Sequence, residues 1–354
     1  MQITDDFESL ILNNTPLIDT RAPIEFAKGS FEGAVNLPLL NDKEREIIGT
    51  CYKKSGNSEA VKLGHKLISG EVKEQRVNAW INFIKEHPNA VIFCFRGGQR
   101  STISQQWLYD ANYPITKIKG GYKAFRNYIL EQYEVINSTF TPIRVGGFTG
   151  SGKTILLNEL ENTIDLEGLA NHRGSAFGRQ IAPQPTQINF ENNLLFKLKR
   201  AVASGHKTLI FEDESKNIGR VYMPNVLNEY LVKSKMVILQ ESIESRVEII
   251  LDEYVIKAQK EYSNITLWAE DILSSLERIK KRLGGLRYQE ILKLFNSAYK
   301  LQQVSQNIND HKLWIKSLLV DYYDPMYSYQ LEKNSNLIIF KGNKDEVKHY
   351  LKSL

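Results

Sequence analysis

The feature that most constrains the fold of this chain is a glycine-rich segment near its middle, Gly147-Phe148-Thr149-Gly150-Ser151-Gly152-Lys153-Thr154. It follows an apolar run at 143–145 and precedes a helix-like apolar run at 155–160. The segment matches G-x-x-x-x-G-K-[ST] at every position, and its strand-loop-helix context makes the match specific. Such a loop wraps phosphates, because its glycines let backbone N–H groups approach phosphate oxygens. We predict that phosphate groups are bound by Gly147, Gly150, Ser151, Gly152, Lys153 and Thr154.

Two acidic residues follow another apolar, strand-like run in the same half of the chain. The run at 208–211 leads directly into Glu212 and Asp213. We predict that these carboxylates serve the substrate site, with Thr154 and Asp213 as ligands of Mg²⁺. The alternative is a solvated acidic turn, since acidic residues are common at strand ends. The glycine-rich loop recognises phosphate groups but not the base of a nucleotide, so it does not distinguish ATP from another diphosphate.

A second loop presents a thiol to a cluster of cationic groups. Cys94 follows the apolar run at 90–93 and begins the segment Cys94-Phe95-Arg96-Gly97-Gly98-Gln99-Arg100-Ser101. A cysteine at the end of a buried strand and before a helix lies where backbone N–H groups favour negative charge, so we expect its thiolate to be stabilised. We predict that Cys94 is a nucleophile and that Arg96 and Arg100 bind the anion it attacks. The alternative is a buried structural cysteine.

The order of strands and helices predicts the α/β class with two domains. Strand-like and helix-like runs alternate in both halves of the chain, which is the pattern of parallel sheets. Periodicity is lost between about 131 and 142, so we place a first domain at 11–134, a linker at 135–142 and a second domain at 143–354. From roughly 243 to 319 the pattern is helical, so the second domain is expected to carry a helical C-terminal part.

Composition excludes several other classes of protein. The 354 residues are 42% hydrophobic and 25% charged, and no apolar stretch is long enough to span a membrane. The N-terminus is acidic and has no secretion signal, and two cysteines, Cys51 and Cys94, are too few for a disulfide framework. We therefore expect a cytoplasmic protein without a membrane partner. The net charge of +5 permits contact with nucleic acid without requiring it.

Polar segments of the second half suggest substrate contacts. His172 and Arg173 lie in the glycine-bearing segment 171–178 and are predicted to bind substrate phosphate or a base, with an ordinary surface loop as the alternative. The tyrosine-rich segment 321–327 offers either stacking surfaces or packing. Basic residues that could follow an RNA backbone are Lys197, Lys199, Arg200, Arg278, Lys280, Lys281, Arg282 and Arg287.

The first half resembles the rhodanese family, in which a strand-borne cysteine carries a persulfide. The resemblance includes the Cys94 loop, the segments 19–21 and 33–38, and the segment 120–125. One departure is that Arg100 lies six positions after Cys94, the C-x5-R spacing of tyrosine-phosphatase-type loops. A phosphatase therefore remains an alternative, although Phe93 stands where such phosphatases usually carry histidine.

Across nearly its whole length the chain resembles the tRNA 2-selenouridine synthase family. The segments that carry this resemblance are 44–45, 49–53, 94–101, 147–154, 171–178, 213–215, 218–219 and 321–327. The resemblance implies replacement of sulfur by selenium in wobble 2-thiouridine of tRNA, with selenophosphate as selenium donor and Cys94 as carrier. It also implies an S-geranylated intermediate made from geranyl diphosphate. The expected partners are tRNA and small-molecule phosphates, with no obligate protein partner.

Two other kinds of function use the same two loops. A phosphatase or nucleotide kinase would act on a small molecule and would turn over phosphate esters or ATP without RNA. A binding protein would use the glycine-rich loop as a switch and would carry an inert cysteine at position 94. Cys51 is expected to pack without taking part in chemistry.

Overall fold

The computed structural model describes all residues from 1 to 354 and contains twelve strands and seventeen α-helices. The strands are β1 (Ile3–Thr4), β2 (Leu17–Asp19), β3 (Ala34–Asn36), β4 (Val91–Phe93), β5 (Thr116–Ile118), β6 (Thr141–Gly146), β7 (Thr163–Ile164), β8 (Thr208–Glu212), β9 (Asn217–Ile218), β10 (Val221–Tyr222), β11 (Lys235–Leu239) and β12 (Ile338–Gly342).

Most helices are regular, and two of the junctions between them form π-helical turns. The helices are α1 (Phe7–Leu12), α2 (Pro23–Phe26), α3 (Asp42–Leu67), α4 (Gly70–Glu86), α5 (Gln99–Asp110), α6 (Gly121–Ile136), α7 (Lys153–Leu157), α8 (Leu166–Ala170), α9 (Gln187–Ala203), α10 (Asn225–Leu231), α11 (Ile243–Leu251), α12 (Ala258–Glu261), α13 (Ile265–Leu283), α14 (Gly285–Ser305), α15 (His311–Leu318), α16 (Asp324–Lys333) and α17 (Lys344–Lys352). The π-helical turns are Asp252–Lys257 and Leu319–Tyr323, and a 3-10 turn spans Ser335–Leu337. None of the helices combines the length and apolar composition that a membrane crossing needs.

Residues of the chain group into two compact units. The first consists of Met1–Asn137 with Pro185–Gly205, and the second of Ser138–Gln184 with His206–Leu354. Helix α9 thus belongs to the first unit, although its residues lie inside the 143–354 range expected for the second domain. Helix α6 also continues to Ile136, into the stretch where the sequence loses its periodicity.

The first unit is built on a parallel five-stranded sheet in the order β1-β5-β4-β2-β3. Strand β4 lies at its centre, and all three of its residues are buried, as expected for a strand covered on both faces. Ile18 of β2 pairs with Ile92 of β4 in the parallel register. Because β4 is central, its carboxyl end delivers Cys94 to the middle of the sheet edge where ligands bind in open α/β sheets.

Helix α9 joins the first unit through both apolar and polar contacts. The ring centroid of Phe196 lies 5.7 Å from that of Phe125 on α6. The fully buried Asn192 donates through Nδ2 to the Ser30 carbonyl at 2.6 Å, and the Asn189 side chain accepts from the Ser30 N–H at 2.8 Å. These bonds satisfy buried polar groups of the first unit that would otherwise lack partners.

The second unit contains another parallel five-stranded sheet, in the order β12-β11-β6-β8-β7. Strand β6 lies between β11 and β8, with Val145 paired to Val237 on one side and to Glu212 on the other. The glycine-rich loop therefore leaves the carboxyl end of a central strand. The expected helical part is confirmed, and its core is formed by large buried rings that include Trp268, Phe295 and Trp314.

Candidate functional sites

The cysteine loop of the first unit is pressed against the turn that opens α6. The Tyr122 N–H donates to the Cys94 carbonyl at 2.9 Å, and the Lys123 N–H donates to the Phe95 carbonyl at 2.9 Å. A Cβ atom at Gly121 would lie 2.2 Å from the Cys94 oxygen, and one at Gly97 would lie 2.8 Å from the Gly120 nitrogen. Both Gly97 and Gly121 have positive φ, so only glycine has both the small size and the backbone conformation that these positions require.

The Cys94 thiol lies beneath its own loop. Only 3% of the residue is exposed, and Sγ is 3.1 Å from the Ser101 hydroxyl and 3.8 Å from the Gly98 carbonyl oxygen. Ser101 is fully buried at the start of α5. Sequence reasoning did not single out Ser101 as a partner of the thiol, although its position one helical turn into α5 was a usable signal.

The two arginines of the cysteine loop have different surroundings. Arg96 is exposed and forms no ion pair. Arg100 donates to both carboxylate oxygens of Glu25, at 2.5 and 3.1 Å, and Arg45 lies 3.0 Å from the same carboxylate. Burial alone would lower the pKa of Arg100, but the hydrogen bonds and charge of Glu25 raise it. Arg100 also interacts electrostatically with Cys94. Glu25, which the sequence did not indicate, therefore fixes Arg100 beside the loop.

A buried ion pair supports the sheet edge next to this loop. Arg21 donates to Asp19 at 2.6 Å and to the Gly29 carbonyl at 2.8 Å, and the Ser30 hydroxyl donates to Asp19 at 2.9 Å. The Arg21 guanidinium also lies 3.8 Å from the centroid of the Tyr122 ring. The sequence segment 19–21 thus forms a fully satisfied polar network, which is the condition for charges to be stable inside a protein.

A large cavity opens over the cysteine loop within the first unit. Its volume is about 1090 Å³, slightly above the range of roughly 300 to 1,000 Å³ for small-molecule sites. Arg96, Gln99 and Arg100 line one wall, and apolar residues including Ile48 and Trp107 line another. Helix α3, which kinks at Gly56, provides much of the outer wall. The cavity can therefore bind both the anionic and the apolar groups of a ligand next to the Cys94 loop.

The phosphate loop of the second unit is shaped by close backbone approaches. A Cβ atom at Gly147 would lie 2.7 Å from the Leu239 carbonyl oxygen, and one at Gly150 would lie 3.1 Å from the Arg246 carbonyl oxygen. Gly150 also has φ of 79°. The glycines of the motif are therefore required by the fold of the loop as well as by the approach of a phosphate.

Polar side chains of the phosphate loop point to a site for an anion. Lys153 donates through Nζ to the carbonyls of Gly147 and Phe148, at 3.1 and 3.5 Å, and so lies across the loop. Ser151 is 2% exposed, and its hydroxyl has no hydrogen-bond partner. A buried hydroxyl without a partner is costly, and a phosphate oxygen in the loop would satisfy it.

Glu212 lies closer to the predicted metal ligand Thr154 than Asp213 does. The Thr154 hydroxyl donates to Glu212 at 3.4 Å, whereas the Asp213 carboxylate pairs with the buried Arg144 at 2.5 Å. No group of three or more His, Cys, Asp and Glu residues is arranged to hold a metal ion. The metal role of Asp213 stays a prediction, and the geometry favours Glu212 as the partner of Thr154.

Three glutamates come together behind the phosphate loop. Burial, followed by the charges of Glu167 and Asp165, raises the pKa of Glu212 to about 8. Burial and Glu167 likewise raise the pKa of Glu214 to about 9, and the charge of Lys153 opposes both shifts. Neither Glu167 nor Glu214 was predicted as a site residue, although Glu214 lies in the segment 213–215 that carries part of the family resemblance. The carboxyls of Glu212 and Glu214 therefore favour the protonated form at neutral pH, and a nearby cation would favour the ionised form.

The helical part of the second unit holds the phosphate loop in place. Arg246 on α11 donates to the Thr149 carbonyl at 2.9 Å and to both oxygens of Asp324, at 3.0 and 2.6 Å. Tyr322 and Tyr323 are buried, and the ring of Tyr327 lies 5.8 Å from Lys153 Nζ. The tyrosine-rich segment 321–327 is therefore a packing element that positions the loop through Asp324.

Replacement of Asp324 by asparagine is expected to weaken diphosphate binding and to lower the free energy of unfolding by roughly 1–3 kcal/mol. This loss is smaller than the full cost of breaking a buried ion pair, because the Asp324 side chain is 27% exposed. Calorimetric unfolding and titration with pyrophosphate would measure the two effects. Asp321→Asn is the matched control, because Asp321 belongs to the same segment and does not touch Arg246. Equal pyrophosphate affinity in both variants would show that the ion pair does not position the loop.

His172 and Arg173 are neighbours in sequence with different contacts. His172 is 9% exposed, and its Nδ1 has no hydrogen-bond partner. The Arg173 guanidinium lies 5.0 Å from the ring centroid of Tyr254, whose hydroxyl is 3.2 Å from that of Ser175. Their predicted roles in substrate binding stay predictions.

The two units together define a class of protein in which a rhodanese-like sheet with a cysteine loop is joined to a P-loop sheet. A family model described as rhodanese-like domain matches residues 4–128, and one described as tRNA 2-selenouridine synthase AAA domain matches residues 140–354. The chain belongs to the tRNA 2-selenouridine synthase family.

Curated relatives match the chain over its whole length. A tRNA 2-selenouridine synthase of Sulfurovum sp. (strain NBC37-1) is 52% identical over 99% of this chain and 98% of its own length. Those of Hydrogenovibrio crunogenus and Pseudomonas syringae pv. syringae are 50% and 45% identical, over 98% and 99% of this chain and 98% and 97% of their own lengths. Both loops thus belong to the region shared with these relatives.

Proposed function

We propose that this chain is a selenotransferase that converts 2-thiouridine at the wobble position of tRNA to 2-selenouridine. One observation carries the proposal: this member of the family combines two loops. The thiol loop lies beside a large cavity, and the complete phosphate loop contains a buried hydroxyl without a hydrogen-bond partner. The first loop suits chalcogen transfer, and the second suits a diphosphate leaving group.

The phosphate loop is proposed to bind geranyl diphosphate. The sulfur of 2-thiouridine attacks the allylic carbon, the carbon–oxygen bond to the diphosphate breaks, and pyrophosphate leaves with the electron pair. Lys153 and the loop N–H groups stabilise the charge that develops on the departing oxygens. The Ser151 hydroxyl donates to the same group, which gives it the partner that it otherwise lacks. S-alkylation turns the base sulfur into a leaving group.

Thr154 and Glu212 are the residues that would hold a Mg²⁺ ion at this loop, because their oxygens lie 3.4 Å apart beside it. A protein site with one or two oxygen ligands is typical for this ion, which takes its other ligands from phosphate and water. When bound, the ion would neutralise charge on the diphosphate. Binding of the ion would lower the pKa of Glu212 from about 8, because a nearby cation favours the ionised carboxylate.

The cysteine loop is proposed to carry selenium from selenophosphate to the base. Water attacks phosphorus, the phosphorus–selenium bond breaks, selenide leaves with the electron pair, and Arg96 and Arg100 bind the phosphate that remains. The selenide attacks the sulfur of Cys94, which is held as a mixed disulfide with a small thiol, and displaces that thiol as the sulfur–selenium bond forms. The bound selenium then attacks C2 of the S-geranylated base, and geranylthiol leaves. A small thiol then attacks the Cys94 sulfur, the sulfur–selenium bond breaks, and the selenated base leaves with the electron pair. This step restores the mixed disulfide of Cys94, so the cycle needs no net oxidant or reductant.

Incubation of the protein with 2-thiouridine tRNA, geranyl diphosphate, selenophosphate, and a small thiol together with its disulfide tests the proposal. Mass analysis of the digested nucleosides is expected to show S-geranyl-2-thiouridine first and 2-selenouridine later. Unchanged tRNA together with turnover of ATP or of a small phosphate ester would instead support a nucleotide kinase or a phosphatase.

A further inference from the structure

The second unit also contains a cavity, which does not involve the phosphate loop. Its volume is about 350 Å³, within the range of roughly 300 to 1,000 Å³ of small-ligand sites. None of residues 147–154 lines it. We call it the arginine pocket, after Arg179, Arg220 and Arg278, which all line it.

The three guanidinium groups of the arginine pocket have no carboxylate partner. None of Arg179, Arg220 and Arg278 forms an ion pair, and all three are exposed at the surface. The Arg278 side chain donates to three neutral acceptors, which are the Ser274 hydroxyl at 3.1 Å, the Ala176 carbonyl at 3.0 Å and the Ser275 hydroxyl at 2.5 Å. No carboxylate lines this cavity, and the charge of Asp271 offsets that of Arg278 only in part, because burial and Arg179 still lower the pKa of Arg278. Positive charge is therefore in excess at this cavity.

Other basic residues that the sequence suggested for RNA contact differ in this respect. Several of them are already paired with carboxylates, which reduces their free charge; these pairs are Lys199 with Glu8, Arg200 with Glu32, Lys280 with Glu277 and Arg287 with Asp321. Lys197, Lys281 and Arg282 form no ion pair either, but they do not line the arginine pocket. The three arginines of the pocket lie around one cavity, which makes them the stronger candidates for an external anion.

A buried histidine also lines the arginine pocket. His172 is nine-tenths buried, and its Nδ1 has no hydrogen-bond partner in the protein. Burial first, then Arg179 and Arg278, lower the pKa of His172, so the ring is neutral at pH 7. A neutral ring beside cationic groups offers one polar nitrogen to a ligand without adding charge. A ligand that binds here would satisfy Nδ1.

The wall around His172 is held by Gly219 and Gln184. A Cβ atom at Gly219 would lie 2.6 Å from His172 Cδ2 and 2.2 Å from Gln184 Oε1, so the absence of a side chain lets these groups approach. Gln184 donates to the carbonyls of Ala170 and Ile218, at 2.9 and 3.0 Å, and accepts from the Arg220 N–H at 2.7 Å. The pocket is thus pre-organised by hydrogen bonds.

We infer that the arginine pocket binds one nucleotide of the tRNA, with its phosphodiester held by Arg179, Arg220 and Arg278 and a polar group of the nucleotide bonded to His172. Guanidinium groups match the geometry of phosphate oxygens, and the size of the pocket fits a single nucleotide better than a helical groove. The inference rests on the proposed function, because it deepens how the tRNA substrate is recognised.

Two variants of the full chain test this inference. Arg179→Gln and Arg220→Gln each remove one charge, and neither side chain has a hydrogen bond or ion pair that folding would lose. Each is expected to weaken tRNA binding by about 5- to 10-fold and to reduce the slope of log affinity against log salt by about 1. Turnover at saturating tRNA should stay unchanged while KM for tRNA rises. Fluorescence anisotropy with labelled tRNA over a salt series measures the first two quantities.

Lys293→Gln provides a matched loss of charge elsewhere in the second unit, beside a shallow cavity on α14 without a histidine. An equal loss of affinity in that variant would show a diffuse charge effect and overturn the inference. Pyrophosphate is the small-phosphate probe. Weaker pyrophosphate binding in Arg179→Gln and Arg220→Gln, with tRNA affinity unchanged, would assign the pocket to a small phosphate instead.

Failure of the inference and failure of the proposed function give different results. If the wild-type chain selenates tRNA and both arginine variants bind tRNA with wild-type affinity, only the inference is wrong. If the wild-type chain neither binds nor modifies tRNA, the proposed function fails and the inference fails with it.

Discussion

Lys153→Ala is expected to lower the rate of tRNA geranylation by about 10²- to 10³-fold, the usual effect of removing one charge-stabilising donor from a transition state. Lys153 Nζ is held across the loop by the carbonyls of Gly147 and Phe148, at 3.1 and 3.5 Å. It is the cation that faces the raised-pKa carboxyls of Glu212 and Glu214. Its loss therefore removes the charge that offsets both the diphosphate and these glutamates.

The measurement for this variant is the rate at which S-geranyl-2-thiouridine forms in tRNA at saturating geranyl diphosphate. Lys344→Ala is the control, since Lys344 is a surface lysine of the same unit that pairs with Glu159. Circular dichroism would establish that both variants fold. A wild-type rate in Lys153→Ala would show that the phosphate loop does not serve geranyl diphosphate, and ATP hydrolysis would be measured next.

Cys94→Ser is expected to abolish selenium transfer, by at least about 10³-fold, while geranylation continues. Serine is nearly isosteric with cysteine, so the 3.1 Å contact with Ser101 can persist, but a hydroxyl does not form the sulfur–selenium bond. S-geranyl-2-thiouridine should therefore accumulate in the tRNA. This outcome separates the two loops, because the Lys153 variant is expected to lack the geranylated nucleoside altogether.

Cys51→Ser is the matched control for the cysteine variant, because Cys51 is the only other thiol in the chain and lies half-buried on α3. Its selenation rate is expected to remain close to that of the wild type. Ser101→Ala adds a graded test, since it keeps the Cys94 thiol and removes its hydrogen-bond partner. Selenation in Cys94→Ser at the wild-type rate would eliminate the carrier role.

Both loops were predictable because each is a contiguous stretch of sequence. The glycines at 147, 150 and 152, with Lys153 and Thr154 after them, specify a loop geometry within eight residues, and the apolar run before it identifies the strand. The Cys94 loop is likewise defined by a contiguous stretch, residues 94–101, that follows an apolar run. The parallel α/β fold followed from the alternation of strands and helices, and it is confirmed by the order of both sheets.

Contacts between distant parts of the chain were not predictable in the same way. Glu25 lies 75 positions before Arg100, and Asp324 lies 78 positions after Arg246, so no local spacing links the members of either pair. Glu214 follows two residues that the sequence had indicated, yet its raised pKa comes first from burial and then from Glu167, which lies on α8, 47 positions earlier in the chain.

The amino-acid sequence by itself determined the two loops, the class of fold and the family, because these depend on residues that are neighbours along the chain. Tertiary structure alone decided which unit α9 joins, which carboxylate lies beside Thr154, and that His172 lines the same cavity as three arginines without ion pairs. The physical reason is that ion pairing, burial and the pKa of a side chain depend on distances in space, and folding brings together groups that the sequence keeps far apart.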